Sequence, residues 1–119
     1  MKVDMTGKFK GEVSEEIASR YLVEEGYEIK ERNFRSGKSE IDIIAKDGNF
    51  LVFVEVKSRR TTKFGYPEDS ITRSKFAALA RGAETYRKQI EWSGPFRFDA
   101  VSIVFGETTD LKHLKDIVV

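Results

Sequence analysis

Three carboxylates and one lysine lie among the apolar residues of one stretch of the sequence, EIDIIAKDGNFLVFVEVKSRR, positions 40–60. They are Glu40, Asp42, Glu55 and Lys57. Carboxylate oxygens with room for water are the ligands that Mg²⁺ and Mn²⁺ prefer, whereas zinc sites are built from cysteine and histidine as well. The chain has no cysteine and a single distant histidine, so the pattern favours Mg²⁺ or Mn²⁺ over zinc.

The Asp47-Gly48 pair predicts how these side chains are placed, because it favours a two-residue type I′ hairpin loop. The resulting register puts Glu40 across from Glu55, with Asp42 diagonal to Glu55 at ~7–8 Å between Cα atoms. One face is then entirely apolar and carries Ile41, Ile43, Ala45, Phe50, Val52, Val54 and Val56. The other face has its charged residues at one end and an apolar end that a helix should cover, formed by Ile44, Leu51 and Phe53.

Geometry alone leaves two interpretations of the acidic cluster. Like charges directly opposite each other destabilise a sheet, and a bound cation would remove that repulsion. The alternative is a charged strand end with a Glu55–Lys57 surface pair, which would contribute at most ~1 kcal/mol. Charges at strand edges also prevent aggregation, so this second interpretation needs no ligand.

The remaining sequence predicts the elements that would position the hairpin. Apolar residues at helical spacing predict a first helix over about residues 9–25, stopped by Gly26, and a second helix after an N-cap at Thr72. Strands are predicted over residues 27–34, 40–46, 49–59 and 96–105, whereas residues 110–119 are ambiguous. The order αβββαβ predicts an α/β fold with a mixed central sheet flanked by helices, in one domain over residues 1–119.

Composition limits the classes of function. No apolar run approaches the ~20 residues needed to span a bilayer. The N-terminus has no apolar segment typical of a secretory signal, so we expect a cytoplasmic protein with no membrane partner. A net charge of +1 argues against nucleic-acid binding through bulk charge. However, residues 57–63 hold four cations in seven positions: Lys57, Arg59, Arg60 and Lys63.

Asp42 followed by Glu55-Val56-Lys57 resembles the D-x(n)-E-x-K signature of the restriction-endonuclease-like (PD-(D/E)XK) nucleases, which share the αβββαβ core order. The superfamily's proline is absent, since Ile41 precedes Asp42. A more specific resemblance, over about residues 7–116, is to the small bacterial YraN family of predicted nucleases, and archaeal Holliday-junction resolvases are similar. It is carried by Gly7, Gly11-Glu12, Gly26-Tyr27, Arg32-Asn33-Phe34-Arg35, Glu40-Ile41-Asp42, Phe53-Val54-Glu55-Val56-Lys57, Phe64-Gly65, Lys75 and Arg97-Phe98-Asp99.

This resemblance implies a role for each acidic residue. Asp42 and Glu55 would bind a metal that polarises the scissile phosphate and activates a water molecule. Lys57 would orient that water or stabilise the charge that builds on the phosphate. Glu40 would be either a further ligand or a residue that supports the ligands without touching the metal. Glu12 would be the acid that the resolvases contribute from helix one, although its position opposite the apolar stripe also suits an acid favoured by the helix dipole.

The resemblance also implies a function and partners. The expected activity is Mg²⁺- or Mn²⁺-dependent endonucleolytic hydrolysis of DNA, with branched or damaged DNA as candidate substrates. Arg59, Arg60, Lys63 and Lys75 would contact the DNA backbone, and analogy with the resolvases suggests a homodimer. The alternatives are a non-catalytic nucleic-acid-binding module on the same fold, or an interaction protein without a nucleic acid partner.

Two further expectations concern residues outside the hairpin. Arg97 and Asp99 are two apart on the fourth predicted strand, which predicts a structural ion pair. His113 and Trp92 have no neighbouring residues that suggest a constellation, and the sequence assigns them no role.

Overall fold

The computed structural model describes residues 7–118, with side chains from residue 11 onward. The elements in chain order are α1 (Gly7–Glu24), β1 (Glu28–Ser36), β2 (Ser39–Asp47), β3 (Phe50–Arg59), a short 3₁₀ helix (Pro67–Ser70), α2 (Arg73–Gln89), β4 (Phe96–Phe105) and β5 (Thr109–Leu114). The prediction about a secretory signal falls partly on residues 1–6, which lie outside the described residues. Between residues 7 and 118, no helix is long and apolar enough to cross a membrane.

The strands form one mixed sheet in the spatial order β1-β2-β3-β4-β5. β3 and β4 are parallel, and the other neighbours are antiparallel. The parallel connection passes through α2, as a crossover between parallel strands requires. The predicted α/β fold with helices flanking a mixed sheet is therefore confirmed. Residues 109–114, partly within the ambiguous tail, add a fifth strand.

Each face of the sheet is covered by one helix. Ala18 and Leu22 of α1 are fully buried on one face. Leu79, Ala83 and Tyr86 of α2 pack on the other, where they cover Ile44, Leu51 and Phe53 as predicted. α2 approaches β2 closely at Gly82, where a Cβ atom would lie 3.2 Å from the Cβ of Ser39.

The hairpin register differs from the predicted one by two residues. Asp47 pairs with Phe50, so the loop is Gly48-Asn49 rather than Asp47-Gly48. Gly48 has φ +59° and Asn49 has no positive φ, which matches a type II′ loop instead of type I′. Asp47 stays in the strand, where its carboxylate accepts a hydrogen bond from Arg97 at 3.0 Å.

The new register moves the acidic side chains relative to one another. Ile43 pairs with Val54, and the continuation of that register brings Asp42, rather than Glu40, opposite Glu55. The predicted Glu40–Glu55 pair is therefore wrong. Glu40 instead pairs with Arg35 of β1.

β2 also departs from regular alternation at Asp42. Ile41 packs in the α2 cluster, whereas Ile43 packs in the α1 cluster, so the predicted common face of these two residues is wrong. On β1, Asn33 has φ +54°, and the residues of β2 that pair with β1 pass from Ile43 to Ile41 without Asp42. The side chain of Asp42 accepts the backbone N–H of Val56 at 2.8 Å, which ties the irregular segment to β3.

Candidate active site

Asp42 and Glu55 form the centre of the candidate site. Both side chains are partly buried. Burial, followed by the hydrogen bonding and charge of Glu55, raises the pKa of Asp42 to about 8, while the N–H of Val56 and the charge of Lys57 oppose that rise. Without a cation, the pair therefore retains a proton at neutral pH, because two charged carboxylates this close repel each other.

Glu15 of α1 adds a third carboxyl group to this centre. Its pKa is raised first by burial and then by the charge of Asp42, while hydrogen bonding to Asn33 lowers it. Glu15 lies three residues before Ala18 and seven before Leu22, which are the fully buried residues through which α1 packs on the sheet. This spacing places Glu15 on the side of the helix that faces the sheet.

Glu12 was predicted as the acid of the first helix, whereas Glu15 was not predicted. The spacing from Glu15 to Ala18 and Leu22 was the available signal, since it places all three residues on one side of the helix. Glu12 is exposed and lines a cleft of about 400 Å³ together with Glu15, Asn33, Arg35 and Glu40. Glu40 forms an ion pair with Arg35 at 3.7 Å, so it lies at this cleft with its charge already partnered.

Two lysines lie beside the carboxyl pair. Lys57 is two residues after Glu55 on β3, and therefore on the same face. Lys75 lies in the first turn of α2, whose predicted N-cap is confirmed, since Thr72 accepts the N–H of Lys75 at 3.2 Å. Hydrogen bonding and charge from Lys57 lower the pKa of Lys75, whereas the charge of Glu55 opposes this. The fold thus gathers two ammonium groups at one side of the carboxyl pair.

The residues of the centre offer only oxygen ligands. Among residues 7–118, no group of three or more His, Asp or Glu side chains is arranged to hold a metal ion. Mg²⁺ is commonly bound through one or two carboxylates, with waters and substrate phosphates completing its octahedron. Asp42 and Glu55 fit that mode, and together they could hold Mg²⁺ or Mn²⁺.

The predicted phosphate-contacting residues lie around the end of β3. Arg59 is its last residue and is partly buried, whereas Arg60 and Lys63 are exposed on the following loop. Lys75 is also exposed, at the start of α2. Arg59 follows Lys57 by two residues on β3, so the two side chains lie on the same face of the strand.

A second polar cluster is buried away from these lysines. The predicted Arg97–Asp99 ion pair is confirmed at 3.1 Å, and Asp99 is fully buried. His113 belongs to this cluster, with Nε2 at 2.7 Å from Asp99 and Nδ1 at 3.0 Å from the hydroxyl of Tyr21. The prediction that His113 has no constellation is wrong, because β5 brings it onto the sheet beside β4.

Trp92, for which no role was predicted, packs against the cluster under α2, and its Nε1–H donates to the carbonyl of Pro95 at 3.0 Å. These contacts are structural.

Comparison with known proteins gives one consistent family. The model of "Uncharacterised protein family UPF0102" matches residues 14–103. A UPF0102 protein of Caldicellulosiruptor saccharolyticus is 46% identical over 110 residues, covering 89% of this chain and 93% of its own. Another from Cytophaga hutchinsonii is 41% identical over 108 residues, covering 91% and 94%. A third, from Persephonella marina, is 42% identical over 109 residues, covering 91% and 94%.

Proposed function

The chain belongs to the uncharacterised protein family UPF0102, and we propose that it is a metal-dependent endonuclease that hydrolyses phosphodiester bonds in DNA. One observation carries the proposal: the carboxyl pair of Asp42 and Glu55, with Asp42 at a pKa of about 8, lies beside two neighbouring lysines. A site that combines a repelling acidic pair with two neighbouring cations suits a divalent metal ion next to a phosphate group.

The carboxyl pair and Glu15 are the proposed metal-binding side of the site. Asp42 and Glu55 would hold Mg²⁺ or Mn²⁺, and Glu15 would accept hydrogen bonds from water molecules in its shell. When bound, such an ion polarises a phosphate oxygen and lowers the pKa of a coordinated water. The proton held by the pair must leave before the ion binds, so hydrolysis is expected to weaken in acid.

The lysines are the proposed phosphate-binding side. Lys57 follows Glu55 by two residues on the same face of β3. It would donate to the non-bridging oxygens of the scissile phosphate, where negative charge accumulates in the transition state. Lys75 would contact the same phosphate or its neighbour. The pKa of Lys75 is lowered by hydrogen bonding to Lys57 and by its charge, and a bound phosphate would offset the repulsion between the two ammonium groups.

The basic residues after β3 are the proposed DNA contacts. Arg59, Arg60 and Lys63 would bind backbone phosphates, which positions a strand without reading its sequence. Binding should therefore depend on salt, even though the chain carries a net charge of only +1.

A cleavage assay tests this function. Purified protein would be incubated with single-stranded, duplex, forked and four-way DNA, in Mg²⁺, Mn²⁺ or chelator. We expect metal-dependent cutting that Glu55→Gln and Asp42→Asn each reduce by ~100-fold or more, since each removes a metal-binding charge. Glu84→Gln is the matched control, because Glu84 pairs with Lys88 on the exposed side of α2.

Full cleavage by Glu55→Gln and Asp42→Asn would refute the assignment of this site. A non-catalytic nucleic-acid-binding module is the second candidate, and the exposed cations Arg60, Lys63 and Lys75 favour it. That module would bind DNA in a salt-sensitive way, cut none of the substrates, and keep its affinity when Glu55 is replaced.

A further inference from the structure

Two aromatic side chains on the loop after β3 are exposed to solvent. Phe64 is 77% exposed and Tyr66 is 52% exposed. Single exposed apolar residues are common on protein surfaces and need no explanation. Here two aromatic rings lie two residues apart in a segment that also carries Arg60 and Lys63, which makes the combination informative.

Hydrogen bonds hold this loop in a defined conformation. The N–H of Gly65 donates to the carbonyl of Thr62 at 3.0 Å, and the N–H of Tyr66 donates to the carboxylate of Asp69 at 2.8 Å. Gly65 has φ +110°, and an added Cβ would lie 3.2 Å from that carboxylate. The backbone thus presents Phe64 outward by a specific turn that requires glycine, rather than by chance exposure.

Each ring has an ammonium group close to it. The Nζ of Lys63 lies 5.6 Å from the ring centroid of Phe64, and the Nζ of Lys112 lies 5.0 Å from that of Tyr66. Proteins that bind single-stranded nucleic acid combine cations for the backbone with aromatic faces for the bases. The loop itself offers both groups in Lys63 and Phe64, whereas Lys112 lies on β5 and is paired with Glu68.

The loop also borders a cleft on the same sheet face as the candidate site. This cleft of about 420 Å³ is lined by Thr62, Tyr66, Ser102, Val104, Asp110, Leu111 and Lys112. Its volume is in the ~300–1,000 Å³ range of small-molecule sites. Ser102 is the ladder partner of Lys57 across β3 and β4, so the cleft begins one strand away, ~5 Å, from the proposed catalytic lysine.

We propose that this loop binds an unpaired base of DNA, stacked on Phe64, with Tyr66 and the adjoining cleft receiving the neighbouring nucleotide. The inference rests on the proposed nuclease function and specifies its substrate: a strand that is unpaired next to the phosphate held by Lys57. A fully paired duplex would keep its bases in its own stack and could not use Phe64 in this way.

Binding measured by fluorescence anisotropy in chelator tests the inference. The probes are an oligothymidine strand, an oligouridine strand and a blunt duplex, at one fixed salt concentration. Phe64→Ala and Phe64→Leu should each weaken oligothymidine binding by ~5- to 150-fold, the effect of losing one stacked base. Phe64→Trp should retain binding because it keeps an aromatic face. Phe50→Ala is the control, since Phe50 is also exposed but begins β3 at its opposite end.

The outcomes separate this inference from the nuclease function. A loss of affinity in Phe64→Ala that is confined to the unpaired strands would support the inference. An equal loss of affinity for the duplex would overturn it. It would also be overturned if Phe64→Leu kept the wild-type affinity, or if the wild-type protein did not bind oligothymidine. A preference for oligouridine would overturn the assignment to DNA. Because no cleavage is needed, a protein that binds as predicted but never cuts would refute the nuclease alone. A nuclease whose Phe64→Ala variant binds normally would refute only the stacking site.

Discussion

Asp42 and Glu55 can remain side by side only while a proton or a cation neutralises one of their charges. The pKa of Asp42, raised by burial and by Glu55 to about 8, means that the proton has this role when no cation is bound. The N–H of Val56 fixes the orientation of the Asp42 carboxyl, so the pair cannot relax by turning it away. In the proposed function, this fixed pair would be preorganised for the metal ion at some cost in stability.

Glu15 is expected to contribute to catalysis more than Glu12 does. Its carboxyl group interacts with Asp42 and Asn33, whereas Glu12 is an exposed residue of the neighbouring cleft. Residues that support metal ligands typically change activity by ~10–100-fold when replaced. Glu15→Gln should therefore slow metal-dependent cleavage by ~10-fold or more, with a smaller effect for Glu12→Gln.

The control for this prediction is Glu16→Gln. Glu16 forms exposed ion pairs with Arg20 and Arg32, on another side of α1. Normal cleavage by Glu15→Gln, measured under limiting metal, would exclude Glu15 from the site.

The sequence identified the acidic pair and Lys57 because their strand spacing and signature are local. Glu15 was harder to predict, since its role depends on how α1 packs across the sheet. The type of hairpin loop was mispredicted for a related reason. Asp47 favours a turn locally, but its ion pair with Arg97, fifty residues later, keeps it in β2.

At the scale of elements, β4 and β5 are held together by a buried polar cluster. Asp99 accepts hydrogen bonds from Arg97 and from the N–H of Asp116, and it lies 2.7 Å from His113. Burial acts to raise the pKa of Asp99, but the hydrogen bonds from His113, Asp116 and Arg97 outweigh it, and the net pKa is lowered. The stability of the fold should therefore depend on pH.

Asp99→Asn is expected to destabilise the protein by ~3–5 kcal/mol, because it leaves the largely buried guanidinium of Arg97 without the counter-charge of Asp99. In the wild type, the folded-state pKa of Asp99 lies below the unfolded value of ~3.9. Its stabilisation is therefore present above that value and is lost as the pH falls through the folded-state pKa. The free energy of unfolding in urea, measured for the wild type and for Asp99→Asn from neutral to acid pH, checks both expectations.

Asp47→Asn is the control, because Asp47 is partly exposed and contacts the cluster through Arg97. Equal stability of wild type and Asp99→Asn near pH 7 would contradict the structural role of the cluster.

The order of the elements and the bounds of β4 could be predicted because hydrophobic periodicity is a local property of the sequence. The N-cap Thr72 could be predicted because its residue type and its position before the helix are local too. β5 could not, since its burial pattern is irregular and it pairs only with β4 at the sheet edge. His113 was left without a role because its partners, Asp99 and Tyr21, come from other elements. Interactions of this kind depend on tertiary packing.

For the whole molecule, the net charge of +1 hides an uneven distribution. Carboxyl groups gather where α1 meets β2 and β3, while exposed cations follow the end of β3 and the start of α2. In the proposed function, these cations would hold a strand of DNA with one of its phosphates at the carboxyl pair. The homodimer suggested by analogy with the resolvases stays a prediction.

The measurement to make first is the calorimetric binding of Mn²⁺, without DNA, in buffers of different ionisation enthalpy. If Asp42 and Glu55 hold the ion, binding near neutral pH should release about one proton, because the ion displaces the proton of the pair. Affinity should rise as the pH approaches about 8, the pKa of Asp42. Glu55→Gln should abolish binding and Glu84→Gln should not. Mn²⁺ binding by Glu55→Gln with the wild-type affinity and proton release would show that the ion, and with it the proposed chemistry, belongs elsewhere.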